Sequence, residues 1–111
     1  MNTTIIINNE FLGHGDDDLG RRLMESFLRK LCMQENKPEK IIFYNSGVKL
    51  LAKGSNVLDA IEILEKAGVD LIACGTCVNY YKISDKIEPV QISNMVDIIS
   101  TLMNSSKVIT M

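Results

Sequence analysis

The fold is decided by one stretch of the sequence, Val69-Asp70-Leu71-Ile72-Ala73-Cys74-Gly75-Thr76-Cys77. Its first part, residues 69–74, is short and apolar, which is typical of a strand buried inside a parallel sheet. The chain then passes into a short helix predicted over residues 76–82. Strands and helices alternate in this way along the whole chain, and that alternation predicts an α/β fold with a parallel sheet covered on both faces.

The remaining elements follow from hydrophobic spacing and from capping residues. Aspartates at 16–18 precede the first long helix, Asn56 and Asn94 are predicted to cap two later helices, and Gly68 is predicted to end the second. Strands are predicted over residues 5–7, 40–44, 69–74, 89–92 and 107–110, and the first helix over residues 19–32. The last helix is predicted to direct its apolar side chains inward: Met95, Ile98, Ile99, Leu102 and Met103.

Composition excludes several classes of protein. With 111 residues, one domain spanning residues 1–111 is expected. Twelve Lys+Arg against fourteen Asp+Glu give a net charge of -2, so there is no basic excess for binding nucleic acid. No apolar run is long enough to span a membrane and no signal peptide is recognisable, so a cytoplasmic location without membrane contact is expected. Three cysteines in a reducing compartment do not form a disulfide framework.

The candidate site is expected at the carboxyl edge of the sheet. The loops that follow the first two predicted strands, residues 9–16 and 45–55, are long and contain glycines, and the third carries the C-x-x-C of residues 74–77. The only histidine, His14, also lies in one of these loops. Because the carboxyl ends of parallel strands meet at one edge, where α/β proteins bind ligands, these loops are expected to form one site.

Cys77 is the best candidate for a reactive cysteine. It falls in the first turn of a predicted helix, where unpaired N–H groups and the helix dipole favour the thiolate, the nucleophilic form. Gly75 allows the backbone to turn sharply and to approach a ligand. Cys74 is either a partner of Cys77 or a small apolar residue that ends a buried strand. Cys32 continues the apolar stripe of the first helix and is assigned to the core.

Other interpretations of the C-x-x-C fit the sequence less well. A structural zinc site normally has four ligands, and only one cysteine pair is present, so no metal is predicted. A thioredoxin-like site needs a later cis-proline facing the thiols, and Pro89 comes too early in the chain. A Cys–His hydrolase would need His14 beside a thiol, whereas its two glycine neighbours favour a solvated side chain. The aspartates at 16–18 would repel a phosphate and are interpreted as caps.

Three residues of the second long loop are candidates for substrate binding. Asn45 and Ser46 carry side chains that can form hydrogen bonds across the loops, and Lys49 can hold an anionic group. The alternative is a structured turn with a surface lysine. Tyr81, shortly after Cys77, supplies aromatic surface for the site or for a partner subunit.

Three segments together resemble the DsrE/DsrF-like family of small proteins associated with sulfur transfer: G-D-D-D-L-G at 15–20, F-Y-N-S-G-V-K-L at 43–50, and C-G-T-C at 74–77 followed by Tyr80 and Tyr81. Within the family they are similar to the carboxyl-terminal domain of YedF-like proteins, which are linked to selenium metabolism. The resemblance implies a three-layer α/β/α sandwich with a five-stranded, mostly parallel sheet. It also implies a homo-oligomer, a dimer or larger, and a TusA-like sulfur-carrier domain or protein as partner.

Two functional hypotheses result. In the first, the protein is a sulfur or selenium relay protein that carries a persulfide on the cysteine after the third strand; by position the family's cysteine best matches Cys77, with Cys74 second. Asn45, Ser46 and backbone N–H groups near Gly75 would stabilise the charged sulfur, Lys49 would bind an anionic group of the substrate, and no cofactor is needed. In the second, the protein is a non-catalytic module that oligomerises and positions a partner or a small anion.

Overall fold

Five strands form one all-parallel sheet in the computed structural model, which describes residues 2–111. The strands lie in the order β4-β3-β2-β1-β5, and β2 and β1 run through the centre with the register Ile5↔Ile41 and Ile7↔Phe43. The strands are β1 Thr3–Ile7, β2 Lys40–Phe43, β3 Asp70–Cys74, β4 Ile92–Ser93 and β5 Lys107–Thr110. The predicted α/β fold is confirmed, and the sheet is parallel throughout.

The helices begin largely where capping residues place them. Asp16 caps the first helix through its Oδ1, which accepts the Leu19 N–H at 2.9 Å, and Asn94 caps the last through its Oδ1, which accepts the Asp97 N–H at 2.9 Å. Both caps are confirmed. The helices are α1 Asp17–Cys32, α2 Leu58–Lys66, α3 Gly75–Tyr80 and α4 Met95–Asn104.

The helices lie in two unequal layers. The three crossovers from β1 to β4 all step in one direction along the sheet, and the last steps back from β4 to β5. Because crossovers between parallel strands are right-handed, α4 lies on the face opposite α1 and α2. The core agrees with this: Met24, Leu28 and Ile61 pack with Phe43 in one large cluster, whereas Ile98 packs in a second, smaller one.

Two local predictions are wrong. The predicted fourth strand over residues 89–92 is a 3-10 helix, Pro89–Gln91, followed by the two-residue strand β4, because proline has no N–H for a strand ladder. Asn56 does not cap α2; the chain turns there, with the Leu58 N–H bonded to the Ser55 carbonyl at 3.3 Å, and the cap position is Val57. The loop at 45–55 contains a 3-10 helix, Asn45–Leu51.

The inward orientation predicted for the last helix is also wrong for most of its apolar residues. Of these, Ile98 alone is buried and Leu102 is partly buried. Three of the predicted residues are exposed instead: Met95 (51%), Ile99 (54%) and Met103 (80%). Together with Val96 (77%), which was not predicted to face inward, they form an exposed surface, the α4 apolar face. The cause is that one ten-residue helix crosses a five-stranded sheet and contacts it along a narrow line. None of the helices in residues 2–111 is long and apolar enough to cross a membrane.

Candidate functional site

The site forms where the carboxyl ends of β1, β2 and β3 meet, as predicted from the loops. Two glycines permit the close approach of its segments. A Cβ on Gly47 would lie 2.3 Å from the carbonyl oxygen of Ile7, so the 3-10 helix after β2 rests directly against the end of β1. A Cβ on Gly75 would lie 2.7 Å from the carbonyl oxygen of Ser93, so the start of α3 rests against β4. Both positions depend on the absence of a side chain.

Cys77 lies at the centre of this arrangement. It is the third residue of α3 and is partly buried. Its Sγ accepts a hydrogen bond from the backbone N–H of Asn45 at 3.0 Å. The sulfur is therefore held between the start of α3 and Asn45, the first residue of the 3-10 helix that follows β2.

Cys74 lies beneath Cys77 and is 1% exposed. It ends β3 and packs against Ile42 and Ile98. Its thiol is close enough to the Cys77 thiol to influence the pKa of Cys77, and both cysteines are free. Its predicted place at the end of a buried strand is confirmed, whereas its role as a partner of Cys77 stays a prediction.

The titration of Cys77 differs from the prediction. Burial raises the pKa of the Cys77 thiol above its ordinary value, the neighbouring Cys74 thiol acts in the same direction, and the Asn45 N–H acts against them. The predicted preference for the thiolate is therefore wrong for the resting protein. The helix start was expected to dominate, but α3 has only six residues and the thiol is partly removed from water.

Asn45 adopts an unusual conformation. Its φ is 51°, in the left-handed region that Asn tolerates better than most residues. Its side-chain Oδ1 accepts a hydrogen bond from the Tyr81 hydroxyl at 3.0 Å, so the predicted bond across the loops is formed. It is the backbone of Asn45, however, that contacts the sulfur, which the residue type alone does not indicate.

Ser46 and Lys49 are engaged with the first loop rather than with Cys77. The Ser46 Oγ accepts the Glu10 N–H at 3.1 Å and donates to the Asn9 Oδ1 at 3.2 Å. The Lys49 Nζ lies 3.4 Å from a Glu10 carboxylate oxygen and 4.5 Å from the centre of the Tyr81 ring. Lys49 therefore already has an anionic partner.

Asn9 and Glu10 were missed in the sequence. The available signal was their position: they lie two and three residues after the first strand, which is the neighbour of the second in this sheet. An acid in one loop and a lysine in the adjacent loop are expected to pair.

Two other candidate residues lie outside the site. Cys32 packs against the core, and its Sγ is 3.4 Å from the carbonyl oxygen of Ala60, which confirms its structural assignment. Burial raises the pKa of the Cys32 thiol. His14 is exposed in the loop between β1 and α1. Residues 2–111 contain no group of three or more His, Cys, Asp or Glu side chains arranged to hold a metal ion.

The geometry suits sulfur chemistry at one atom. Cys77 is partly exposed, a backbone donor is directed at its sulfur, and the Cys74 thiol is close enough to influence its pKa. Comparison with known proteins extends this description. A model of the DsrE/DsrF-like family matches residues 1–111. The chain belongs to the DsrE/DsrF-like family. This family is linked to sulfur relay in general.

Solved structures of DsrE-like proteins share the fold over essentially the whole chain. The YchN protein of E. coli is 22% identical, with a TM-score of 0.74 and coverage of 100% of both chains. MTH1491 of Methanobacterium thermoautotrophicum, described as a protein of unknown function, is 19% identical, with a TM-score of 0.70 and coverage of 99% of this chain and 98% of that one. BT1422 of Bacteroides thetaiotaomicron, also of unknown function, is 16% identical, with a TM-score of 0.67 and coverage of 99% and 95%. No curated protein sequence matches.

Proposed function

We propose that this DsrE-like protein is a sulfur carrier that holds a sulfane sulfur as a persulfide on Cys77. The observation that carries the proposal is the hydrogen bond of 3.0 Å from the Asn45 backbone N–H to the Cys77 sulfur. A backbone donor directed at a partly exposed sulfur stabilises negative charge on it. The family's general link to sulfur relay supports the same conclusion.

Loading is a thiol–persulfide exchange. The Cys77 thiol first loses its proton to solvent, and the thiolate attacks the outer sulfur of a donor persulfide, R–S–SH. A new S–S bond forms on Cys77, the S–S bond of the donor breaks, and the donor leaves as the thiolate R–S⁻. The proposed product is Cys77–S–SH, with no change in the total number of persulfides. The same exchange applies to selenium in place of the outer sulfur.

Unloading reverses this exchange with a different partner. A thiolate of an acceptor, which we propose to be a TusA-like sulfur-carrier domain or protein, attacks the outer sulfur and restores Cys77 as a thiolate. Cys74 offers a second exit. Its thiolate can attack the inner sulfur, which forms a Cys74–Cys77 disulfide, expels HS⁻ and requires a dithiol reductant before the next cycle. The buried position of Cys74 favours the first route while the fold is intact.

The test is the intact mass of the protein after incubation with a persulfide donor and removal of excess donor. The wild type is expected to gain the mass of one sulfur atom, and Cys77→Ser to gain none. Cys32→Ser is the matched control, because it removes a thiol from the core and leaves the site unchanged. No added mass on the wild type, or full loading of Cys77→Ser, would exclude Cys77 as the carrier.

The second candidate function is a non-catalytic module that oligomerises and positions a partner or a small anion. The raised pKa of Cys77 favours it, because a thiol kept neutral is not activated at rest. If the wild type gains no sulfur while the protein is folded and self-associated, this candidate replaces the first.

Self-association is part of both candidates, and we propose that it uses the α4 apolar face. All four residues of this face are more than half exposed, and none carries a charge. Val108, on the sheet face that α4 covers, is also 42% exposed. Monomeric proteins rarely expose a contiguous apolar surface of this kind. A second copy of the chain, applying the same face, covers it without burying an unpaired charge.

A further inference from the structure

Tyr81 ends a chain of hydrogen bonds that begins at the Cys77 sulfur. The Tyr81 hydroxyl donates to the Asn45 Oδ1 at 3.0 Å, and the Asn45 backbone N–H donates to the Cys77 Sγ at 3.0 Å. Tyr81 directly follows α3, and its own N–H bonds to the Cys77 carbonyl oxygen at 3.1 Å. Tyr81 therefore joins the helix turn that carries the thiol to the loop residue that contacts it.

Asn45 has a backbone conformation that the hydrogen bond from Tyr81 helps to hold. A φ of 51° costs free energy for any residue with a side chain, and it persists where neighbouring groups hold it. The preceding Tyr44 is still aligned with the sheet, its N–H bonded to the Ile7 carbonyl oxygen at 3.2 Å. The Asn45 N–H belongs to the peptide group that directly follows Tyr44, so it is directed toward α3 from the end of β2, and the left-handed turn comes immediately after it.

The Tyr81 ring is itself fixed. It packs against the main core, the Lys49 ammonium lies 4.5 Å from its centre, and the edge of Tyr80 meets it at 5.4 Å and 89°. Its hydroxyl is therefore held at one place rather than sampling several rotamers. The neighbouring Tyr80 is 80% exposed and provides a natural comparison.

We propose that Tyr81 is a positioning residue that holds Asn45 in place beside the start of α3, so that the Asn45 N–H stays directed at the Cys77 sulfur when that sulfur becomes charged. In the free protein the charged group is the Cys77 thiolate. In the loaded protein it is the persulfide anion, and that half of the inference rests on the proposed function.

The experiment measures the rate of alkylation of Cys77 by iodoacetamide across a pH series, read for that cysteine alone by peptide mass spectrometry. It needs no sulfur donor, so it succeeds or fails independently of the carrier function. Tyr81→Phe keeps the ring and its contact with Lys49 but loses the hydroxyl. Loosening one hydrogen bond to the anion is expected to slow alkylation at neutral pH by about two- to fivefold and to move the profile to higher pH.

Two further variants separate positioning from a general structural role. Tyr80→Phe loses a hydroxyl of the same type at an exposed neighbouring position, and its profile is expected to match the wild type. Asn45→Gly retains access to positive φ but removes the oxygen that Tyr81 binds, so the effect of Tyr81→Phe is expected to vanish in that background. Circular dichroism confirms that each variant is folded.

A wild-type profile for Tyr81→Phe would overturn the inference. So would an unchanged effect of Tyr81→Phe in the Asn45→Gly background, since Tyr81 would then act without Asn45. An equal slowing in Tyr80→Phe would show that the loss reflects the exposed aromatic pair rather than the hydrogen bond.

Discussion

Substituting Gly47 with alanine tests how the site is assembled. The new Cβ would lie 2.3 Å from the Ile7 carbonyl oxygen, and the contact must widen to at least 3.0 Å, so the 3-10 helix and the end of β1 must separate. That same oxygen accepts the Tyr44 N–H at 3.2 Å, and the separation weakens this bond. Overpacking costs about 1–3 kcal/mol and the hydrogen bond about 1 kcal/mol, so the free energy of unfolding should fall by about 2–4 kcal/mol.

The assay is urea unfolding followed by circular dichroism, combined with the alkylation rate of Cys77. Gly47→Ala is expected to lower the midpoint at an unchanged slope and to slow alkylation, because Asn45 lies two residues away and moves off the sulfur. Gly54→Ala is the control. Gly54 has a φ of +93°, and a Cβ added there would meet no atom within 4 Å. Gly54→Ala should therefore lower the free energy of unfolding by about 1–2 kcal/mol through backbone strain alone, with no change in the alkylation rate of Cys77. If Gly47→Ala lowers the free energy of unfolding by less than about 0.5 kcal/mol, the 3-10 helix does not rest directly against the end of β1.

Three further predictions concern the thiol, the surface and a cap. Because burial raises the pKa of Cys77, its alkylation rate should keep rising above the pH at which an ordinary free cysteine levels off; a plateau at lower pH would contradict this. Replacing Ile99 and Met103 by serine should weaken self-association in sedimentation experiments without loss of helical signal, and unchanged association would place the interface elsewhere. Asp16→Ala should lower the free energy of unfolding by about 0.5–2 kcal/mol through the lost bond to Leu19, whereas Asp16→Asn should retain most of it.

Much of the fold is encoded locally and is therefore predictable. Helix and strand periods identify the elements, and the caps Asp16 and Asn94 each act on a backbone N–H three residues on. Asn56 failed as a cap because the start of α2 depends on a turn at Ser55 that no local pattern specifies. The prediction that Met103 faces inward failed for another reason. The spacing of apolar residues shows that one face of α4 is apolar, but it does not show how much of that face the sheet covers.

The site was predictable in position but not in detail. Parallel topology brings the loops together, so Cys77, Cys74 and Asn45 could be expected at one edge. The contact comes from the backbone N–H of Asn45, a residue with a positive φ, and the sequence carries no direct sign of either feature. The direction of the Cys77 pKa depends on burial and on the neighbouring thiol, both of which are tertiary properties.

A raised pKa at Cys77 is compatible with carrying sulfur because the rate of thiol exchange depends on pKa in two opposing ways. Each unit of increase reduces the thiolate at neutral pH tenfold but makes it more nucleophilic, so the net loss in attack rate is only about three- to fourfold. The same increase makes Cys77 a poorer leaving group when an acceptor attacks the outer sulfur. In the proposed carrier, both loading and unloading would therefore be slowed, and the sulfur would be retained until an acceptor thiol docks. The Asn45 N–H would have the opposite effect on unloading, because it lowers the pKa of Cys77 and stabilises the Cys77 thiolate that forms as the sulfur departs.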